Sequence, residues 1–135
     1  ASVALKWFAP ELLSAQALVL PERYLQLVAP DLIIAEVTSA LLKKIRRREF
    51  AADFVHPSID LLADRVLTWS TLGMEHQAFD LASKNGCSVY DSLYALVALE
   101  NGCQLVTADA RPYNALSGAL PATMLWLGDV SADSA

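Results

Sequence analysis

The sequence predicts an α/β fold in which helices cover both faces of a parallel sheet. Short apolar segments typical of strands alternate along the chain with longer segments of helical periodicity. No linker or repeat divides the 135 residues, and this length is typical of one domain. Alternating strands and helices favour a parallel sheet, whose functional crevice lies at the carboxyl ends of its strands.

The individual elements follow from apolar periodicity and from residues that begin or end helices. The predicted strands are residues 26–29, 65–69, 104–107 and 123–127, and the predicted helices are 2–8, 11–19, 31–48, 49–62, 74–85 and 88–100. Asp31 is the expected N-cap of the third helix. The second helix is expected to end near Pro21, and Pro57 is expected to start or kink a helix. Asn85-Gly86 and Asn101-Gly102 predict left-handed helix ends. The polar tail, residues 131–135, is expected to fray.

Composition excludes several classes of protein. The chain is 55% hydrophobic with a mean hydropathy of +0.36, yet its apolar runs are far shorter than the roughly 20 residues of a membrane helix. The front of the sequence does not resemble a secretory leader. Cys87 and Cys103 have no C-x-x-C spacing, which favours reduced thiols over a zinc site or a disulfide framework. We therefore expect a cytoplasmic protein with no membrane span.

Charge is distributed unevenly along the chain. The net charge is −5, but five of the ten basic residues lie within residues 43–48. This basic run ends the third predicted helix, where cations are favoured. It is equally compatible with a contact to RNA phosphates or an acidic partner and with a solvated helix end.

Three acidic residues are candidates for a site at the sheet crevice. Asp109 follows the apolar strand 104–107 directly, although it could instead cap a following turn. Asp91 lies three residues after Ser88, which is also a capping pattern at a helix N-terminus. Glu36 lies beside a core-facing apolar stripe, where a lone buried carboxylate would be costly. Carboxylates gathered at one crevice favour a hard divalent cation such as Mg²⁺.

Four blocks of the sequence together resemble the PIN-domain family, and more closely the VapC-type toxins of bacterial toxin–antitoxin pairs. They are Ala-Ser-Val-Ala-Leu-Lys-Trp-Phe at residues 1–8, Ala-Pro-Asp-Leu-Ile-Ile-Ala-Glu-Val at 29–37, Val-Tyr-Asp-Ser-Leu-Tyr-Ala-Leu-Val-Ala at 89–98, and Leu-Val-Thr-Ala-Asp at 105–109. Each block alone is weakly specific. Their order and intervals along nearly the whole chain make the resemblance specific.

The resemblance implies a three-layer α/β/α fold with a central parallel sheet, spanning residues 1–135 as a single domain. It implies a homodimeric endonuclease that uses Mg²⁺ or Mn²⁺ to cut RNA, commonly tRNA or rRNA, and that a cognate antitoxin silences. Glu36, Asp91 and Asp109 match family acids and would hold the metal, and Thr107 would place a hydroxyl beside them. The family's first strand and first acid come before the block that begins at Ala1, so we expect them to precede the given sequence.

Two other functions are compatible with parts of the sequence. A catalytically impaired PIN-like module would act through protein partners, and only the unmatched first acid favours it. A nucleotide-binding α/β protein is disfavoured, since no G-x-G or G-x-x-x-x-G-K phosphate loop is present. Tyr90 and Tyr94, at helical spacing, are interpreted as core or dimer contacts, with base stacking as the alternative.

Overall fold

The computed structural model describes residues 1–133, which form a mixed α/β fold. Its helices are α1 (Ser2–Leu5), α2 (Ser14–Arg23), α3 (Ile33–Arg46), α4 (Val55–Arg65), α5 (Glu75–Asn85), α6 (Val89–Glu100) and α7 (Ala110–Leu116). Its strands are β1 (Leu27–Pro30), β2 (Val66–Trp69), β3 (Leu105–Thr107) and β4 (Met124–Trp126), and short 3-10 turns lie at Ala52–Phe54 and Leu127–Asp129.

All strand pairing in the described residues is parallel, as predicted, but it does not form one continuous sheet. β1 pairs with β2, and β3 pairs with β4, which gives two separate two-stranded sheets. The predicted central sheet is therefore interrupted between β1 and β3. Helix α6 packs on both of these strands, so it holds the two halves side by side while a cavity separates their facing edges.

The largest buried cluster packs α3 and α4 against the β1–β2 half. Its fully buried side chains include Val37, Leu41 and Leu62. A second cluster packs α2 against the chain after β4, around Ala17, Leu20 and Leu127. Because α3 is anchored by this core along one face, Glu36 near its start and the basic run at its end have fixed positions relative to the sheet.

Helix α2 does not end at Pro21 as predicted. Proline lacks the N–H that would bond the carbonyl of Ala17, four residues earlier. The indole Nε1 of Trp7 donates to that carbonyl instead, at 2.8 Å, so α2 continues to Arg23. Pro57 lies in the first turn of α4, where no N–H is required, and therefore begins that helix without kinking it.

The capping predictions have mixed outcomes. Ser88 is confirmed as the N-cap of α6, since its Oγ accepts the N–H of Asp91 at 3.0 Å. Gly86 is confirmed as a left-handed helix end, with φ at +70°. Asp31 as an N-cap is wrong: α3 begins after Leu32 without a side-chain cap, and the Asp31 N–H donates to the Trp69 carbonyl at 2.9 Å and extends the β1–β2 ladder.

Within residues 1–133, no helix has both the length and the apolar character that crossing a membrane requires. In the described part of the tail, the Arg23 guanidinium donates to the carbonyls of Ser131 and Asp133 at 2.9 and 3.0 Å. The rest of the tail, residues 134–135, lies outside the described residues.

Both cysteines in the described chain are free thiols, Cys87 half-buried and Cys103 exposed.

Candidate functional site

One cavity of about 580 Å³ opens between the two half-sheets, and all four predicted site residues line it. Glu36 comes from the first turn of α3, Asp91 from the first turn of α6, and Asp109 from the turn that joins β3 to α7. Thr107 is the last residue of β3. The site therefore lies at the carboxyl ends of β1 and β3, where parallel sheets present functional groups.

A hydrogen-bond chain fixes Glu36. The Tyr94 hydroxyl, on α6, donates to Glu36 Oε1 at 2.5 Å, and the Ala1 α-ammonium donates to the Tyr94 oxygen at 3.1 Å. Burial raises the pKa of Tyr94, and the hydrogen bond to Glu36 and the charges of Glu36 and Asp91 raise it further. The phenol therefore stays protonated and continues to donate to the carboxylate across the ordinary pH range.

The carboxylates act on a common point in the cavity. Burial lowers the pKa of the Ala1 α-ammonium to about 6, while the negative charges of Glu36, Asp91 and Asp109 each oppose that shift. The three acids, which come from three different elements, therefore all act electrostatically on the same part of the cavity. A concentration of negative charge of this kind favours a bound cation over an anion.

Helix N-termini offset part of the repulsion among these acids. Asp109 is the N-cap of α7, and its Oδ1 accepts the N–H of Arg111 at 3.0 Å. Asp91 lies in the first turn of α6. The partial positive charge at a helix N-terminus stabilises a nearby carboxylate by about 0.3–1 kcal/mol. The capping interpretation and the site interpretation of these aspartates are therefore compatible, because each residue lies at a helix start and each borders the cavity.

Thr107 is buried and joins the acidic turn to α1. Its Oγ1 accepts the backbone N–H of Asp109 at 3.1 Å and lies 3.5 Å from the Ser2 hydroxyl. Ser2 Oγ in turn accepts the N–H of Ala108 at 3.1 Å. The two hydroxyls fix the backbone that carries Asp109, so the position of this carboxylate depends on α1 as well as on β3.

The chemical type of the acidic side chains around the cavity fits a hard divalent cation. Carboxylate oxygens are the ligands that Mg²⁺ prefers, commonly one or two of them together with waters and substrate phosphates. In residues 1–133, however, no three acidic, histidine or cysteine side chains already form a compact metal-holding group. The acids border a shared cavity. Neither His56 nor His76 lines it.

Sequence reasoning missed two members of the site. Tyr94 was interpreted as a core or dimer contact, but it is the hydrogen-bond partner of Glu36. Its position one helical turn after Asp91, on the same face of α6, was a usable signal. Ser2 carries no comparable signal, because its partners Thr107 and Ala108 are more than 100 residues away along the chain.

Comparison with known proteins assigns the family. The PIN domain family matches residues 1–116, which includes every residue of the site. No curated protein matches the sequence. Since the family match spans most of the chain, this protein belongs to the PIN-domain family, which has a nuclease-type fold.

Proposed function

We propose that this protein is a metal-dependent endoribonuclease, the toxin of a toxin–antitoxin pair, that hydrolyses phosphodiester bonds of RNA. The single observation that supports this most strongly is the convergence of Glu36, Asp91 and Asp109 on one cavity at the carboxyl ends of parallel strands. PIN domains are generally metal-dependent nucleases, and these acids are the residues of this chain that fit that chemistry.

Glu36, Asp91 and Asp109 would hold Mg²⁺ or Mn²⁺. When bound, such an ion supplies an activated water and stabilises the charge that develops on the attacked phosphate. The chain's own residues prepare the site for this chemistry. Tyr94 keeps Glu36 oriented, and the Thr107 hydroxyl fixes the turn before Asp109.

The partners in this proposal are an RNA substrate, tRNA or rRNA, a cognate antitoxin and a second copy of the chain in a homodimer, and the setting is the cytoplasm. Free thiols at Cys87 and Cys103 agree with a reducing compartment. Large apolar side chains on the surface support protein partners, among them Leu12, Leu72 and Phe79, which are 84%, 88% and 64% exposed.

The proposal is tested by incubating total tRNA and rRNA with the purified protein and Mn²⁺, in parallel with an excess of chelator. We expect endonucleolytic fragments with Mn²⁺ and none with chelator, because the acids repel phosphate until a cation neutralises them. Circular dichroism shows that the protein is folded, and mass spectrometry that no antitoxin has copurified. If folded, antitoxin-free protein leaves every RNA intact, the impaired binding module becomes the better description.

The basic run at the end of α3 gives the RNA a second attachment point. Arg46, Arg47 and Arg48 are exposed and form no ion pair within the described chain, whereas Lys44 pairs with Glu11 at 3.4 Å. At about 1.5 Å of rise per residue, Arg46 lies about 15 Å along the helix from Glu36. An RNA strand could therefore contact the run while one of its phosphates occupies the acidic cavity.

Replacing Arg46, Arg47 and Arg48 together with glutamine should weaken RNA binding and reduce its salt dependence. Removing three phosphate contacts to a single strand lowers the slope of log affinity against log salt by about 2. Filter binding at several salt concentrations measures this slope. Lys84→Gln, which removes an exposed charge from α5, should leave it unchanged. Equal slopes for the triple variant and the parent would remove the run from the RNA site.

A further inference from the structure

The aromatic side chain of Tyr90 is exposed next to an acid of the cavity. Tyr90 is the second residue of α6 and directly precedes Asp91. Its side chain is 63% exposed, so it is not a core contact. None of the aromatic pairs within residues 1–133 includes Tyr90. A large part of its ring is therefore available to a ligand.

The geometry of α6 places this ring at the mouth of the cavity. Successive helical residues are about 100° apart, so around the helix axis Tyr94 lies between Tyr90 and Asp91, about 40° from the first and about 60° from the second. Tyr94 and Asp91 both line the cavity, and Tyr94 bonds Glu36 there. Tyr90 lies about 6 Å closer to the helix start than Tyr94, and helical side chains lean toward that end. Since Tyr90 does not itself line the cavity, its ring lies at the rim on the side of Asp91.

No other exposed aromatic side chain within residues 1–133 has this position. The exposed ones are Tyr24, Phe54, Phe79 and Tyr90. Tyr24 also borders the cavity, but it precedes β1 and therefore lies at the amino end of that strand, away from the acids. Phe54 pairs with Phe50, Phe79 belongs to α5, and neither Phe54 nor Phe79 lines the cavity. Tyr90 is thus the exposed ring that adjoins the acidic end.

An aromatic ring beside carboxylates suits the base of a nucleotide. The chain has a net charge of −5 and the cavity holds acids, so phosphate is attracted here only after a cation is bound. Stacking between a base and an aromatic ring does not depend on charge, and it accepts any base because every base has a π face. Such a ring commonly strengthens binding of a single strand about fivefold or more. A base inside a duplex is already stacked on both sides and must be unstacked before it can reach a side chain.

We propose that Tyr90 is a specificity-determining residue whose ring stacks on the base next to the phosphate that Glu36, Asp91 and Asp109 would hold. The site would then accept a nucleotide whose base is unstacked and would discriminate against one that stays in a duplex. The inference rests on the proposed function and adds how the site recognises the nucleotide at the cut. Tyr90 is not among the acids that would hold the metal, so its loss should affect RNA and leave metal binding unchanged.

The test uses the purified protein with Mn²⁺ and a single-stranded RNA of about ten nucleotides, taken from an RNA that the parent cleaves and centred on the mapped cut. Tyr90→Ala should lower kcat/KM about fivefold or more, whereas Tyr90→Phe, which keeps the ring, should not. Replacing the bases one at a time with abasic residues should lower kcat/KM of the parent by a similar factor at one position beside the cut. The same replacement should cause no further loss in Tyr90→Ala. Calorimetry should give the same Mn²⁺ affinity for Tyr90→Ala and the parent.

Phe79→Ala is the matched control, because Phe79 is 64% exposed, lies on α5 and does not line the cavity. Its kcat/KM should equal that of the parent. Tyr90→Leu, which keeps an apolar side chain but loses the flat ring, should behave like Tyr90→Ala.

Equal kcat/KM for Tyr90→Ala and the parent would overturn the proposal, and so would a loss in Tyr90→Ala that has the same size on every abasic RNA. A change of oligomeric state in Tyr90→Ala, measured by light scattering, would also overturn it and assign the ring to a contact between copies. If the folded parent cleaves no RNA, the proposed function fails and this inference fails with it. Cleavage by the parent with no effect of Tyr90→Ala refutes this inference alone.

Discussion

Replacing Asp91 with asparagine is expected to reduce metal-dependent RNA cleavage about a hundredfold or more, which corresponds to about 2.7 kcal/mol of lost transition-state stabilisation. Asparagine preserves the size of the side chain. The bond from the Asp91 N–H to Ser88 Oγ involves the backbone and is retained. The loss of rate would therefore report the missing charge at the cavity and not a damaged helix start.

Glu100 offers a matched control on the same helix. It is exposed at the opposite end of α6, and Glu100→Gln should leave the cleavage rate unchanged. Steady-state cleavage of one defined RNA, with Mn²⁺ binding followed by calorimetry, separates a loss of metal from a loss of substrate. A normal rate for Asp91→Asn at saturating metal would eliminate this cavity as the active site.

Charge-removing substitutions can also be made at the other two acids of the cavity, Asp109 and Glu36. Asp109→Asn keeps an N-cap of comparable strength for α7, because asparagine and aspartate cap helices about equally well. Glu36→Gln keeps an oxygen that can accept the Tyr94 hydrogen bond. Both variants should fold and should bind Mn²⁺ more weakly than the parent. The three variants together test whether the site needs all its negative charges.

Local patterns were sufficient to predict most elements of this fold. Helix α6 was predicted to within one residue at its start, since Ser88, Gly86 and Asn101-Gly102 supply stop and start signals whose physics is local. Parallel pairing followed from the alternation of strands and helices. Helix α7 was not predicted beyond a turn after Asp109, because its seven residues include Pro112 and are too few for a periodic pattern.

Long-range contacts account for what the sequence could not predict. The continuation of α2 past Pro21 depends on the Trp7 indole, which reaches a carbonyl ten residues away. At the site, Asp109 was predicted from its position after a strand, Asp91 from a helix start and Glu36 from a core-facing apolar stripe. The resemblance to the family grouped the three, and all of them line one cavity. The bond from Tyr94 to Glu36 spans 58 positions, and its one local signal is the position of Tyr94 a helical turn after Asp91.

The second large effect is expected on stability, from Leu41→Ala in α3. Leu41 is fully buried in the cluster that joins α3 to α4 and β1. Truncating such a leucine removes buried apolar surface and leaves a cavity, which costs about 2–5 kcal/mol. Because a domain of this size has a free energy of unfolding of about 5–15 kcal/mol, the variant should lose a large share of its stability.

Leu42, the next residue on the same helix, is the matched control. Its side chain is 44% exposed, so Leu42→Ala should lower the free energy of unfolding by less than about 1 kcal/mol. Urea denaturation of both variants, followed by circular dichroism, measures the midpoint and the slope. Equal midpoints would contradict the burial of Leu41. A lower midpoint for Leu41→Ala with an unchanged slope would show that one face of α3 anchors the helix that carries both Glu36 and the basic run.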